Sequence, residues 1–154
     1  MEGNSEVKRH LNEALKAQLT AINQFFLHAR ICKNWGLSQL NDLEYKYSIK
    51  AMKQADVLIE RVLFLDGLPN LQNLGKLLIG ENVPELLQND RTICLEIHQG
   101  LTASIQFCEG QQDYVSRDLL TELLEKTEAQ LDWLESQQWL IQNSGLENYL
   151  QSMI

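Results

Sequence analysis

The sequence predicts an all-α protein: a four-helix bundle with one long crossover and a short fifth helix at its carboxyl end. Three observations predict it. Breakers are scarce, with only two prolines and eight glycines in 154 residues. The segments between them carry apolar residues at alternating steps of three and four, the period of an amphipathic helix. One breaker-rich stretch, Asp66 to Asn82, holds Gly67, Gly75, Gly80 and Pro69 together. Hydrophobic residues make up 44% of the chain, enough for a single core, and residues 1–154 are read as one domain.

The first helix is read from Ser5 to Trp35, with a core stripe of Leu11, Leu15, Gln18, Ile22, Phe25 and Ala29. The second runs from Ser38 to Leu65. The third runs from Pro84 to Glu109 and opens on Asn82-Val83-Pro84-Glu85, an N-cap with proline in the first turn and a glutamate three residues on. The fourth runs from Asp113 to Asn143, with the stripe Leu120, Leu123, Thr127, Gln130, Leu134 and Ile141. The fifth, Leu146 to Met153, follows Gly145, which suits a helix-ending position. Each long helix measures about 40 Å at 1.5 Å per residue. The connections around Gly36 and Gly110 are tight and make antiparallel neighbours. The 17 residues from Asp66 to Asn82 reach roughly 56 Å at 3.3 Å per residue, so helices two and three run parallel. That is the ferritin-like arrangement rather than simple up-and-down connection.

Charge and composition exclude several classes. Thirteen Lys+Arg against 21 Asp+Glu give a net charge of −8, which argues against nucleic acid as a partner. Apolar runs such as Val62 to Leu65 are far too short to cross a bilayer. The start, Met1-Glu2-Gly3-Asn4-Ser5-Glu6, does not read as a secretion signal, so a cytoplasmic location is expected. Cys32, Cys94 and Cys108 are odd in number and lie in apolar patterns, as expected of free thiols. Cys94 and Cys108 share a helix face about 21 Å apart, too far for one metal or one disulfide.

Bundles of this topology often hold two irons between carboxylates and imidazoles, with Glu-x-x-His on two of the helices. The only histidines are His10, His28 and His98, and Val7, Phe25 and Leu95 stand three residues before them. No Glu-x-x-His exists, and none of the three is expected to ligate metal. His10 and His98 are expected on solvated faces, and His28 to satisfy a hydrogen bond. Polar Gln18, Gln54, Thr127 and Gln130 interrupt the core stripes, with Ala51 and Cys94 in register. The expectation is a buried amide and hydroxyl network; a weak metal site is the alternative. No phosphate loop, nucleophile elbow or zinc spacing is present.

The second helix has a second apolar face: Tyr45, Ile49, Met52 and Ile59, with Leu63 beyond. A helix apolar on two sides buries the second in something else, most simply another subunit. Met52 lies at its centre. Packing and thioether ligation of a haem iron are both open there, and spacing does not choose between them.

The chain resembles a bacterioferritin subunit over essentially its whole length. The resemblance rests on Ala21-Ile22-Asn23-Gln24-Phe25-Phe26-Leu27-His28-Ala29-Arg30, on Lys33 to Leu37, on Ile59-Glu60-Arg61 with Leu63 to Leu65, and on Gly67 to Gln72. It continues through Leu74 to Leu77, Asp113 to Asp118 and Asn148-Tyr149-Leu150. It implies a shell of twenty-four subunits storing a ferric iron mineral, with haem b at each two-fold interface held by one methionine from each subunit. That methionine falls on Met52. The family's iron-site carboxylates fall on Gln18, Ala51, Cys94 and Thr127, its ligand histidines on Gln54 and Gln130, and a nearby tyrosine on Phe25. Lys46 and Lys50 occupy its inner-surface iron positions.

By this resemblance the chain is a haem-holding, ferroxidase-silent subunit and not itself an enzyme, co-assembling with a ferroxidase-competent subunit or self-assembling. Leu68, Glu81 and Glu85 match the surface where a small iron–sulfur ferredoxin docks. Asn34, Asp66 and Asp132 match a pore lining in which Trp139 replaces an acid; Asn148 and Gln151 match the four-fold channel, and Glu109 and Asp118 the three-fold region. The competing readings are an iron-oxidising enzyme with a relocated or inter-subunit site, and a haem-free structural subunit. A DNA-protecting mini-ferritin fits least, since the chain is acidic and carries the fifth helix.

Overall fold

A computed structural model describes residues 1–154. Five helices follow in order: α1 Ser5–Asn34, α2 Ser38–Phe64, α3 Val83–Gly110, α4 Tyr114–Ser144 and α5 Leu146–Ser152. These match the five expected elements within a residue or two at each end, and no strand is present.

The start of α3 is set by the cap expected there, and two further caps, Asn4 and Asp113, set those of α1 and α4. Asn4 caps α1 through Glu6 and Val7, and Asn82 caps α3 by accepting the Glu85 N–H, with Pro84 in the first turn. Asp113 caps α4 by accepting the Ser116 N–H. Gly36 turns the chain between α1 and α2 at φ +83, a conformation that costs most other residues a steric penalty.

The pairs α1·α2 and α3·α4 pack most extensively, α1 also meets α3, and α5 packs on α4. One core runs through the bundle, filled by fully buried leucines such as Leu11, Leu15, Leu58, Leu87, Leu120 and Leu134 and by Phe25. The α1 stripe is wider than the sequence reading drew it: Ala21 is fully buried, whereas Ile22 is half-buried.

Residues 65–82 form the crossover, and α1 holds it along its length. Asn12 Nδ2 donates to the Leu68 carbonyl, and the Asn70 N–H donates to Asn12 Oδ1. Further on, the Gly75 N–H donates to Thr20 Oγ1, the Leu78 N–H to Gln24 Oε1 and the Gly80 N–H to His28 Nε2. From Asn12 to His28 is about 24 Å of helix at 1.5 Å per residue. The crossover therefore travels in the direction of α1, against α2, and starts α3 parallel to α2. No helix is long and apolar enough to cross a membrane.

Candidate functional site

Three places carry the chemistry: the mid-bundle polar positions, the outer face of α2, and a buried cluster near the start of α3.

At mid-bundle, Gln18 of α1, Ala51 of α2, Cys94 of α3 and Thr127 of α4 are all buried. None offers an anionic oxygen. The Cys94 thiol is pushed well above its usual range, chiefly by burial and then by the charges of Asp90 and Glu44. It is a neutral, weak donor there, since metals bind the thiolate. Gln54 and Gln130 are half-buried and line one pocket between α2 and α4. The expected amide and hydroxyl network is corrected. Thr127 Oγ1 donates to the Leu123 carbonyl in its own helix, and no hydrogen bond joins Gln18, Gln54 and Gln130. A helical threonine satisfies itself against the preceding turn, and Gln54 and Gln130 line the pocket without bonding one another.

On the outer face of α2, Tyr45, Met52 and Leu63 are exposed at 39%, 51% and 55%, and Ile49 and Ile59 are half-buried. The second apolar face is thus present and unpacked within the subunit. Phe26 of α1 extends it, its ring 6.2 Å from that of Tyr45, and the Arg30 guanidinium lies about 5 Å from both rings. Leu68, Glu81 and Glu85 are likewise exposed.

The third place was not anticipated as a cluster. His28 of α1, Glu44 of α2 and Asp90 of α3 are fully buried, and one ligand atom from each lies within 4.8 Å of the others. His28 Nδ1 lies 2.8 Å from Asp90 Oδ1, which also accepts from Gln24 Nε2 at 3.1 Å. Because His28 Nε2 accepts the Gly80 N–H, the ring proton is on Nδ1 and is donated to Asp90. Glu44 Oε1 and Asp90 Oδ2 are buried with no hydrogen-bond partner. Burial first, then the Asp90 charge, pushes the Glu44 carboxyl well up, which favours its neutral form beside Asp90. Each acidic residue lies on a core stripe: Glu44 falls with Leu40, Ala51 and Leu58, and Asp90 with Leu86, Leu87 and Cys94.

The other histidines are corrected from solvated faces to half-buried contacts. His10 stacks on Phe107 at 4.5 Å and its Nδ1 is 2.9 Å from Ser104 Oγ. His98 Nε2 is 2.8 Å from Glu128 Oε2. The three cysteines are buried and free.

Residues 8–144 match the family model for a ferritin-like domain. The chain is 40% identical to a bacterioferritin of Brucella melitensis over 97% of this chain and 92% of that one. It is 39% identical to a bacterioferritin of Mycobacterium avium, over 97% of this chain and 94% of that one. It is also 39% identical to a bacterial ferritin of Synechocystis, over the whole of this chain and 99% of the other. A bundle with its crossover laid along α1, a short fifth helix and these relatives over almost their full length together show that the chain belongs to the bacterioferritins, within the ferritin-like family.

Proposed function

We propose that this chain is the haem-holding, ferroxidase-silent subunit of a cytoplasmic bacterioferritin shell. Iron storage itself follows from its membership of the family. The observation that carries the finer reading is a pairing of one loss with one retention: a mid-bundle without anionic ligands, and an exposed methionine at the centre of an unpacked apolar face.

The mid-bundle cannot compensate a pair of ferrous or ferric ions. Charge balance there needs carboxylates, and Gln18, Gln54 and Gln130 offer neutral amide oxygens, Thr127 a hydroxyl, Cys94 a protonated thiol and Ala51 nothing. In this reading a ferroxidase-competent partner subunit delivers ferric iron, and the chain contributes shell and electron transfer.

The residues around Met52 fit haem b. The thioether is a soft, uncharged donor, half exposed, and the flanking Tyr45, Ile49, Ile59 and Leu63 give the apolar wall a porphyrin requires. A two-fold axis through this face brings two copies of Met52 together, one from each subunit. Bound there, haem b supplies one-electron transfer. A small iron–sulfur ferredoxin is the proposed electron donor, docking near Leu68, Glu81 and Glu85. The test is haem reconstitution of the purified protein, followed by absorption and magnetic circular dichroism. Met52→Leu should abolish the bis-thioether signature, and Met52→His should replace it with an imidazole one. A spectrum indifferent to both substitutions defeats the assignment.

One observation favours a second reading, an iron-oxidising enzyme with a relocated site: the His28–Glu44–Asp90 cluster puts three donors, one imidazole and two carboxyl groups, within reach of one ion. Against it, His28 Nε2 is occupied by the Gly80 N–H, its Nδ1–H faces Asp90, and all three residues are closed from solvent. Stopped-flow oxidation of Fe²⁺ in air, with no partner subunit, separates the readings. A rate far above buffer that collapses in both Glu44→Gln and Asp90→Asn establishes the relocated site. A rate at the buffer level supports the silent subunit.

A further inference from the structure

The groove between α2 and α4 carries a charge pattern opposite to that of the chain as a whole. The chain is acidic, at −8. Yet Lys50 and Lys53 of α2 and Lys126 of α4 line one pocket of about 300 Å³ together with Tyr47, Gln54, Ala129 and Gln130. No aspartate or glutamate lines it. The ion pairs of α2 and α4 lie elsewhere, at Arg61–Asp113, Arg91–Glu135, His98–Glu128, Arg117–Glu109 and Arg117–Asp118, and none involves these three lysines.

The neutral donors in the pocket are free as well. The side-chain hydrogen bonds of α2 and α4 nearest in sequence run from Ser48 to the Ile22 carbonyl and from Thr127 to the Leu123 carbonyl. None engages the amides of Gln54 or Gln130, although both are half-buried. The Tyr47 ring sits under the Lys50 ammonium, 5.0 Å from Nζ to the ring centroid, which holds that charge at the pocket by cation–π attraction. Tyr47 is itself fixed from behind by Trp133, with ring centroids 5.0 Å apart.

Three like charges gathered in one concavity repel one another, and an anion placed among them removes that cost. We propose that the α2–α4 groove is a binding site for a small multivalent oxyanion of the phosphate class. The donor chemistry selects the class. Lysine ammonium groups are compact point charges with three donors each, suited to the rounded charge of phosphate. Three such charges match a multivalent oxyanion better than a singly charged carboxylate, and the pocket holds no arginine to impose a flat bidentate geometry. The two amides add neutral N–H donors for the remaining oxygens.

The experiment is isothermal titration of purified, iron-free protein with inorganic phosphate in a phosphate-free buffer of low ionic strength. The expected result is saturable binding at one phosphate per chain, weakened at least tenfold in Lys50→Gln/Lys126→Gln and displaced by sulfate. All three lysines are exposed, so the variants should fold; the single variant Lys53→Gln should also weaken binding. Lys33→Gln, on an exposed residue of α1, should leave it unchanged. Absence of saturable binding overturns the proposal. So does binding that survives the double substitution in folded protein, or that falls equally in Lys33→Gln, since either locates the phosphate elsewhere or in the general field of the molecule.

Discussion

His28 of α1 and Asp90 of α3 meet at 2.8 Å inside the bundle, and the same imidazole accepts the Gly80 N–H from the crossover at 3.0 Å. One side chain thereby fastens two helices and the returning segment at a single point. His28→Ala removes both bonds and leaves a buried N–H and a buried carboxylate short of a partner. Each such loss costs about 1–3 kcal/mol, so the variant should lose roughly 3 kcal/mol of stability. Chemical denaturation measures the total, and hydrogen exchange of the Gly80 amide locates it. Unchanged protection at Gly80 would contradict the role given to His28.

Glu44 gives the protein a pH dependence of definite sign. Its carboxyl is raised well above its ordinary value of 4.5 in the folded state. The folded protein therefore keeps a proton that the unfolded chain releases as pH rises past that value. The stability contributed by the proton is whole below about pH 4.5 and drains away above it, by about 1.4 kcal/mol per pH unit until the folded group itself ionises. Glu44→Gln mimics the protonated acid at every pH. The difference in thermal midpoint between Glu44→Gln and the native chain should grow in favour of the variant from pH 5 to pH 8.

The cap of α4 predicts the opposite sign. Asp113 is lowered in pKa: burial pushes it up, but the Ser116 hydroxyl and N–H and the Arg61 charge outweigh that. Its oxygens accept from Ser116 at 3.0 and 2.7 Å and from Arg61 at 2.9 Å. The stability this carboxylate supplies is present above the ordinary carboxylate range and lost as pH falls through the lowered value. Asp113→Ala should cost about 1–2 kcal/mol at pH 7, and the cost should shrink in acid. Denaturation at pH 7 and pH 3 checks both statements.

The fold was legible because it rests on local signals. Asn82 with Pro84, Asp113 and Gly36 mark boundaries that depend on a few neighbouring residues, and the structure uses each of them. Crossover length gave the relative direction of helices two and three by reach. The apolar face around Met52 was legible for the same reason, as a period along one helix. The buried cluster was not, because it draws one residue from each of three helices, and only their packing brings Glu44 to Asp90. A signal was nevertheless there. An acid on the stripe of Leu40, Ala51 and Leu58, and another on that of Leu86 and Leu87, occupy positions where a charge must find a partner. The polar residues Asn12, Thr20, Gln24 and His28 on α1 were a second unread pattern, the side chains that receive the crossover.

Gly80 is the place where that crossover tolerates least. A Cβ built on it would lie 2.4 Å from both the N and the Cα of Leu86. Those are backbone atoms in the first turn of α3, beside the Asn82 cap, and cannot swing aside as a side-chain tip can. Gly80→Ala must therefore displace either the helix start or the crossover, and the second would pull the Gly80 N–H from His28 Nε2. Overpacking of this kind costs about 1–3 kcal/mol, to which the buried donor adds its own penalty. The expected variant is less stable by about 3 kcal/mol, and combined with His28→Ala its loss is sub-additive by about 1–3 kcal/mol, the part due to the bond that both break. A double-mutant cycle by chemical denaturation measures the coupling. Full additivity would show that the alanine shifts α3 and leaves the histidine clasp closed.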